Sequence, residues 1–202
     1  MATKVNVEFD LVTSAGGNLG SISRTLTRMQ VPFRLVGNEN APDGSRPIIL
    51  PGVGAFGAVM KSLKENDFDQ TIVKLVRAGT PFLGVCVGMQ VLFDESEEAP
   101  GVKGLGLISG KVLKFKEGKV PQIGWNQIKP SNDQSWESGY VYFVNSYYAK
   151  PDSDSVTLYK SDYHETFCAA VKTGNITAFQ FHPEKSGEMG ERLLRRWVND
   201  VT

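Results

Sequence analysis

The 202-residue chain reads as an α/β protein, a central and mostly parallel sheet flanked by helices, with antiparallel strands added in its second half. Three observations predict this. Strand-like and helix-like runs alternate up to residue 85, as in right-handed β-α-β units. Beyond residue 106, strand-like runs follow one another with short turns between them, as antiparallel strands do. The apolar run Pro81-Phe82-Leu83-Gly84-Val85 ends in Cys86-Val87-Gly88 and passes at once into a helix-like run, Met89 to Phe93. The length fits one domain over residues 1–202.

Element by element, Val5 to Val12 reads as a strand. Asn18 to Met29 reads as a helix, with Leu19, Ile22, Leu26 and Met29 on one side. Phe33 to Val36 and Pro47 to Leu50 are short strands. Helical spacing then runs from Phe56 to Ala78 through Val59, Leu63, Ile72, Val73 and Val76. Pro81 to Val85 is the strand that feeds the cysteine. The acidic cluster Asp94-Glu95-Ser96-Glu97-Glu98-Ala99-Pro100 reads plainly as a solvated helix end, yet its position puts Glu98 near whatever the cysteine serves. Strand-like runs follow at Gly106 to Phe115, Gln127 to Pro130, Tyr140 to Tyr148, Val156 to Tyr159, Thr166 to Lys172 and Ile176 to Phe181. Lys172-Thr173-Gly174-Asn175 is a hairpin turn. A last helix, Glu188 to Val201, turns Leu193, Leu194, Trp197 and Val201 inward.

Composition excludes several classes. Lys plus Arg and Asp plus Glu both number 22, and the formal charge of zero argues against a nucleic-acid or anionic-membrane surface. No apolar run approaches a membrane span, and Met1 to Glu8 lacks the apolar stretch of a secretory signal. Cys168, in Phe167-Cys168-Ala169-Ala170-Val171, reads as a buried strand residue. A reactive Cys86 must not pair with it, and a reducing cytoplasm is the economical reading.

Gly84-Val85-Cys86-Val87-Gly88 has the layout of a nucleophile elbow with cysteine in place of serine. The strand carries the residue to the edge of the sheet. The turn is too tight for side chains at Gly84 and Gly88. The helix N-terminus then lies under the sulfur and favours the thiolate, the reactive species. The plain alternative is a buried structural cysteine, which two flanking glycines make less economical. Near the C-terminus, Ile176-Thr177-Ala178-Phe179-Gln180-Phe181 delivers His182 and, two residues on, Glu184. A cysteine nucleophile needs a base, and the base needs a group to orient its ring. Cys86, His182 and Glu184 supply those types. The chain has only two histidines. His164 sits in the polar, turn-like stretch Lys160-Ser161-Asp162-Tyr163-His164-Glu165 and fits a structural histidine.

Together these motifs resemble the class I glutamine amidotransferases, whose triad is a Cys in Gly-x-Cys-x-Gly with a distant His-Pro-Glu. Further segments are similar to one branch of that family, the glutaminase subunits of imidazole glycerol phosphate synthases. They are Pro51-Gly52-Val53-Gly54, Pro121-Gln122-Ile123-Gly124-Trp125-Asn126, Tyr142-Phe143-Val144-Asn145-Ser146-Tyr147-Tyr148 and Gln180-Phe181-His182-Pro183-Glu184-Lys185-Ser186. The resemblance runs from Asn18 to the C-terminus. It implies hydrolysis of the glutamine side-chain amide. Cys86 thiolate attacks the carbonyl. The oxyanion takes hydrogen bonds from the Val87 N–H and from Gly52 or Val53. His182 protonates the departing ammonia and later activates water against the thioester, while Glu184 fixes its tautomer.

The resemblance also implies how substrate and partner are held. Gln90 and Glu98 match positions for the polar head of glutamine, with Glu98 suited to the α-ammonium. The backbone at Ser146 and Tyr147 matches a carboxylate clamp; its plain alternative is an ordinary strand end. A resting Gly52–Val53 peptide with its carbonyl inward would flip to complete the oxyanion hole, a turn that Gly52 and Gly54 make sterically easy. No cofactor or metal is expected. Ammonia must reach its acceptor shielded from water, and the chain is used up by the glutaminase fold. The implied partner is a (β/α)8 cyclase subunit of imidazole glycerol phosphate synthase. Asn18, Trp125, Tyr142 and Lys185 match positions facing it, against plain core or strand packing for Trp125 and Tyr142.

The chain departs from the pattern in two places. Thr13-Ser14-Ala15-Gly16-Gly17-Asn18-Leu19 stands where Asp-Tyr-Gly-x-Gly-Asn-Leu is usual, and Asn145 stands where His is common. These would suit a paralogous glutaminase that feeds an amidino-sugar synthase. Amidotransferases for pyridoxal phosphate or purines fit less well, because they carry Pro-Gly-Gly at Pro51-Gly52-Val53. Val87 argues against the related hydrolases and chaperones that place His directly after Cys. A non-catalytic module on the same fold has no need of Cys86, His182 and Glu184 together.

Overall fold

A computed structural model describes residues 7–13, 19–37, 40–131 and 135–202. The first half runs β1 (Phe9–Val12), α1 (Leu19–Arg28), β2 (Phe33–Val36), β3 (Ile48–Gly52), α2 (Phe56–Glu65), α3 (Phe68–Arg77), β4 (Phe82–Cys86) and a single turn, α4 (Val87–Gln90). The second runs β5 (Glu95–Ser96), β6 (Gly110–Lys114), β7 (Gln122–Pro130), β8 (Gly139–Asn145), β9 (Tyr147–Pro151), β10 (Thr157–Tyr163), β11 (Glu165–Thr173), β12 (Ile176–Phe179) and α5 (Gly187–Val201). Short 3-10 turns stand at Asp154–Val156 and Pro183–Lys185.

Among the described residues one sheet carries the strands in the order β2-β1-β3-β4-β12-β11-β10-β7-β8, with β9 joining β11 to β6 and β6 to β5. β2, β1, β3, β4 and β12 are mutually parallel. From β11 to β8 the pairings are antiparallel. β3, β4 and β12 are buried along their whole length, as expected for parallel strands covered on both faces, and their sequences are accordingly apolar runs rather than alternations. β12 enters beside β4 with Phe179 opposite Val85. Both chains therefore leave the sheet at the same end, the C-terminal end of the parallel strands, where α/β proteins place their sites. That pairing brings residues 86 and 182 together.

The helices cover this sheet by their apolar stripes. α1 buries Ile22 and Leu26. α5 buries Leu193, Leu194 and Trp197, and the Trp197 ring meets Phe9 of β1 at 5.5 Å between centroids. Each such large side chain contributes about 1.5–3 kcal/mol. Val201 is only partly buried. Asp10, fully buried on β1, is held by Arg34 directly opposite on β2, with Nε–Oδ1 at 2.6 Å and Nη2–Oδ2 at 3.2 Å. No helix among the described residues is long and apolar enough to cross a membrane.

Several expected elements differ in extent. The helical stretch from Phe56 to Ala78 is two helices, because Asp67 takes a left-handed conformation at φ 56° and Asn66 donates to the Ser62 carbonyl at 2.7 Å. That local bond competes with helix continuation. The helical run Met89 to Phe93 is the single turn α4 followed by turns. The strand from Gly106 shrinks to β6, since Leu105 and Leu107 donate back to the Val91 and Leu92 carbonyls. Tyr140 to Tyr148 breaks at Ser146 into β8 and β9. β7 starts earlier than expected and takes in Gln122 to Asn126. The first strand is limited to β1 among the described residues.

Candidate active site

Cys86 ends β4 at φ 56° and ψ −111°, a conformation that a side chain adopts only where the surroundings enforce it. Its surroundings are glycines in close approach. A Cβ on Gly84 would stand 2.6 Å from the Gly88 carbonyl oxygen, and one on Gly88 would fall on the carbonyl oxygen of Leu50. A Cβ on Gly52 would stand 2.7 Å from the Gly88 nitrogen. The expected exclusion of side chains at Gly84 and Gly88 therefore holds. Gly52 is excluded for the same reason, besides being paired with Cys86 in the ladder. The expected helix under the sulfur is only α4, one turn long. A macrodipole needs many aligned peptides, so the polar groups that serve the sulfur are those of the elbow and its neighbours.

His182 follows β12 and is fixed at both backbone ends. Its N–H donates to the Tyr142 carbonyl at 3.0 Å, and its own carbonyl accepts from Ser186 Oγ at 2.6 Å. Ser186 Oγ in turn accepts from Tyr142 N–H at 2.9 Å, so β8 and the Pro183–Lys185 turn clamp the histidine together. The ring Nδ1 meets Glu184 Oε1 at 2.8 Å, both side chains being buried. Nε2 is then the nitrogen left to exchange a proton with the sulfur. Burial opposes a charge on the imidazole. The hydrogen bonds to Cys86 and Glu184 outweigh it, and the His182 pKa rises to about 10.

Cys168 shows the contrast. It lies on β11, donates to the Ala170 carbonyl at 3.3 Å, and burial pushes its thiol up to about 12. Both cysteines are free. His164 caps the turn between β10 and β11 at φ 58°, exposed and edge-on to Tyr163, as a structural histidine.

A cleft of about 490 Å³ opens over the sulfur. It gathers Cys86, Val87, Gln90, Glu98, Ser146, Tyr147, His182, Val53 and Lys185, with Gly54, Pro121, Val144 and Asn145. Glu184 stands behind His182. The cleft thus unites the residues expected to carry catalysis with those expected to hold glutamine. Glu98 is not a solvated helix end: its Oε2 accepts from the N–H of Phe56, the first residue of α2, at 2.7 Å. That bond holds the carboxylate at the cleft wall, a negative group able to take an ammonium. Gln90 Nε2 spends its two hydrogens on the Tyr147 carbonyl at 3.0 Å and on Gln180 Oε1 at 3.1 Å. What it can offer a ligand is its carbonyl oxygen, an acceptor.

Three residues outside the expected catalytic and binding set belong to the site. Asn145 donates to the Tyr147 carbonyl at 3.0 Å, and so helps hold the chain at the Ser146 break. Ser186 locks His182. Gln180 is buried beside Cys86. Gln180 and Ser186 lie in the segment that carries His182 and Glu184, which is the signal that could have found them.

Beside the cleft the outer face of β7 and β8 is apolar and open. Ile123, Trp125 and Tyr140 are 62%, 57% and 61% exposed. Trp125 stands opposite Tyr142 in the register, with ring centroids 6.1 Å apart, and Tyr142 is half-buried. Trp125 is therefore not a core residue. The face reaches the cleft through Val144, opposite Ile123, and Lys185 is exposed at the same rim. Exposed aromatic and aliphatic side chains grouped in this way mark an interaction surface. Asn18 and the altered loop at 14–18 lie outside the described residues. No group of His, Cys, Asp and Glu among the described residues could hold a metal ion.

Comparison with known proteins agrees with this geometry. The family model for glutamine amidotransferase class-I matches residues 12–201. The chain is 42% identical over 193 residues to imidazole glycerol phosphate synthase subunit HisH of Herpetosiphon aurantiacus, covering 93% of this chain and 92% of the relative. It is 44% identical over 197 residues to the protein of that name from Geobacillus kaustophilus, covering 92% and 93%. Against that from Methanothermobacter thermautotrophicus it is 41% identical over 196 residues, covering 95% and 98%. Among solved structures, a glutamine amidotransferase superposes with a TM-score of 0.77 at 20% identity, covering 95% of this chain and 98% of that one. PurLQS from Thermotoga maritima superposes with a TM-score of 0.77 at 18% identity, covering 97% and 99%. The last two are likenesses of fold.

Proposed function

The chain belongs to the class I glutamine amidotransferases, and from that premise we propose that it is the glutaminase subunit of an imidazole glycerol phosphate synthase. It hydrolyses glutamine to glutamate and ammonia and passes the ammonia to a cyclase subunit of (β/α)8 fold in histidine biosynthesis. One observation carries the reading. Cys86 and His182 stand in a cleft, with Glu184 on His182, and the rim of that cleft continues into the exposed Ile123–Trp125–Tyr140 face. A glutaminase acting alone has no use for an apolar rim, whereas one that must deliver ammonia away from water does. Ammonia released into neutral water becomes ammonium and loses its nucleophilicity.

The residues divide the work as follows. Glu98 and the backbone at Ser146 and Tyr147 hold the α-ammonium and α-carboxylate, and Gln90 accepts an N–H from the bound amino acid. Cys86 thiolate attacks the amide carbon. The Val87 N–H, joined by that of Val53, meets the oxyanion, and Gly52 allows the backbone to approach so closely. His182, charged through neutral pH, gives its proton to the departing nitrogen. The thioester is then opened by water that His182 deprotonates. Glu184 keeps Nδ1 protonated and Nε2 toward the reaction throughout. Asn145 departs from the usual residue, but it bonds the same Tyr147 carbonyl that Gln90 bonds, and so serves the clamp. The free thiol this chemistry needs fits a reducing cytoplasm.

The test is Cys86→Ala in the complex with the cyclase subunit. Glutamine-driven synthesis should vanish while ammonium-driven synthesis persists. Loss of both would contradict the division of labour between the chains.

A further inference from the structure

Gln180 is fully buried at the end of β12, next to the catalytic turn, and its backbone is anchored by donation to the Ala169 carbonyl at 2.9 Å. Its side chain ends a chain of amides whose polarity is fixed from the far side. The Tyr147 backbone carbonyl can only accept. Gln90 must therefore turn its Nε2 toward it, at 3.0 Å. Asn145 Nδ2 donates to the same oxygen at 3.0 Å. The second Gln90 hydrogen points at Gln180 across 3.1 Å, so Gln180 must present Oε1 to it. That choice leaves Gln180 Nε2 facing Cys86 Sγ, at 3.9 Å. One backbone carbonyl thus decides that Gln180 turns an N–H and not its own oxygen to the sulfur, which also has the Val144 carbonyl at 4.0 Å.

From this we infer that Gln180 is a thiolate-stabilising residue, holding a neutral donor on the Cys86 sulfur and linking it to the Ser146–Tyr147 backbone. The inference rests on Cys86 being the nucleophile. Hydrogen bonds to the charged form of a group favour that form, so this donor adds to what the histidine supplies. The titratable groups around the sulfur are His182, with Glu184 behind it, and Glu98, Lys185 and Tyr147 across the cleft. All five are unchanged when only residue 180 is altered.

The test compares the full-length wild type with Gln180→Met, which keeps the length and removes the donor, and Gln180→Glu, which removes the donor and adds negative charge. The rate of Cys86 alkylation by iodoacetamide is followed against pH by peptide mass. The midpoint should rise in the order Gln, Met, Glu. For Gln180→Met a rise of about one unit is expected, a tenfold smaller thiolate fraction below it. The kcat for glutamine should fall with it, and in Gln180→Glu, which keeps an acceptor for Gln90 Nε2, KM should stay near the wild-type value. Equal midpoints in all three proteins would overturn the inference and reduce Gln180 to a satisfied core amide. If wild-type Cys86 failed to react as a thiolate at all, the nucleophile assignment itself would fall, and this inference with it. Should neither variant fold, the side-chain amide resonances of Gln180 in wild type and in Cys86→Ala decide. A shift on removal of the sulfur supports the contact, and identical resonances overturn it.

Discussion

At the scale of single residues, His182 is where opposing forces are decided. Burial alone would favour the neutral ring. Cys86 and Glu184 reverse that and raise its pKa to about 10. A base raised above its ordinary value keeps its proton through neutral pH and loses it as pH climbs through the new value. The alkaline limb of kcat/KM for glutamine is therefore expected near pH 10. Glu184→Gln removes one of the raising contacts, so that limb should move to lower pH and kcat should fall at least about tenfold. An unmoved limb and an unchanged rate would take Glu184 out of the triad. Cys86, His182 and Glu184 were legible from sequence because motif spacing and a scarcity of histidines single them out. Gln180, Asn145 and Ser186 were not: Gln180 and Ser186 take their roles from Cys86 and Tyr142, far away in the chain, and Asn145 takes its role from the break at Ser146, which turns its side chain onto the Tyr147 carbonyl. The second role of Glu98, capping α2, was hidden in an ordinary-looking acidic cluster.

At the scale of elements, the elbow is a packing problem solved by glycine. Leu50 of β3 and the turn α4 come so close that no Cβ fits at Gly88. Gly88→Ala should destabilise the protein by about 1–3 kcal/mol, as overpacking of a tight core does, and lower glutaminase activity more steeply because the displaced turn carries Val87. Urea midpoints together with glutamine turnover would check both. A variant of wild-type stability and activity would show that the turn tolerates a side chain. The alternation of strands and helices was legible here, and so were the glycines. The break of the long helix at Asp67 was not, because a left-handed aspartate following an asparagine bonded back to Ser62 leaves no mark in apolar periodicity. The split at Ser146 was equally silent: β8 and β9 read as one strand, yet β8 pairs with β7 while β9 pairs with β6 and β11.

At the scale of the whole molecule, the order of strands makes the site. Insertion of β12 beside β4 brings the two ends of the chain's chemistry to one edge, and nothing in local sequence dictates that neighbour. The antiparallel extension does a second job, carrying the exposed face of Ile123, Trp125 and Tyr140 to the rim of the cleft. Trp125 was legible through resemblance. Ile123 and Tyr140 follow from the alternation of β7 and β8 once the register is known. Trp125→Ala should weaken binding of the cyclase subunit at least about tenfold, as loss of a central aromatic does at interfaces. Its own melting temperature should hardly change, because the side chain is not in the core. Titration calorimetry against the cyclase subunit, beside a thermal melt, separates the two. An unchanged affinity would move the interface elsewhere.

The account as a whole turns on one measurement: glutamate release from glutamine by this chain alone, and then with the cyclase subunit of imidazole glycerol phosphate synthase and its ribulosyl substrate. The predicted result is weak release alone and a large rise when both are added. Release that ignores the cyclase would leave the Cys86–His182–Glu184 chemistry standing and contradict the proposed partner. No release under either condition, with the chain folded, would contradict the glutaminase itself.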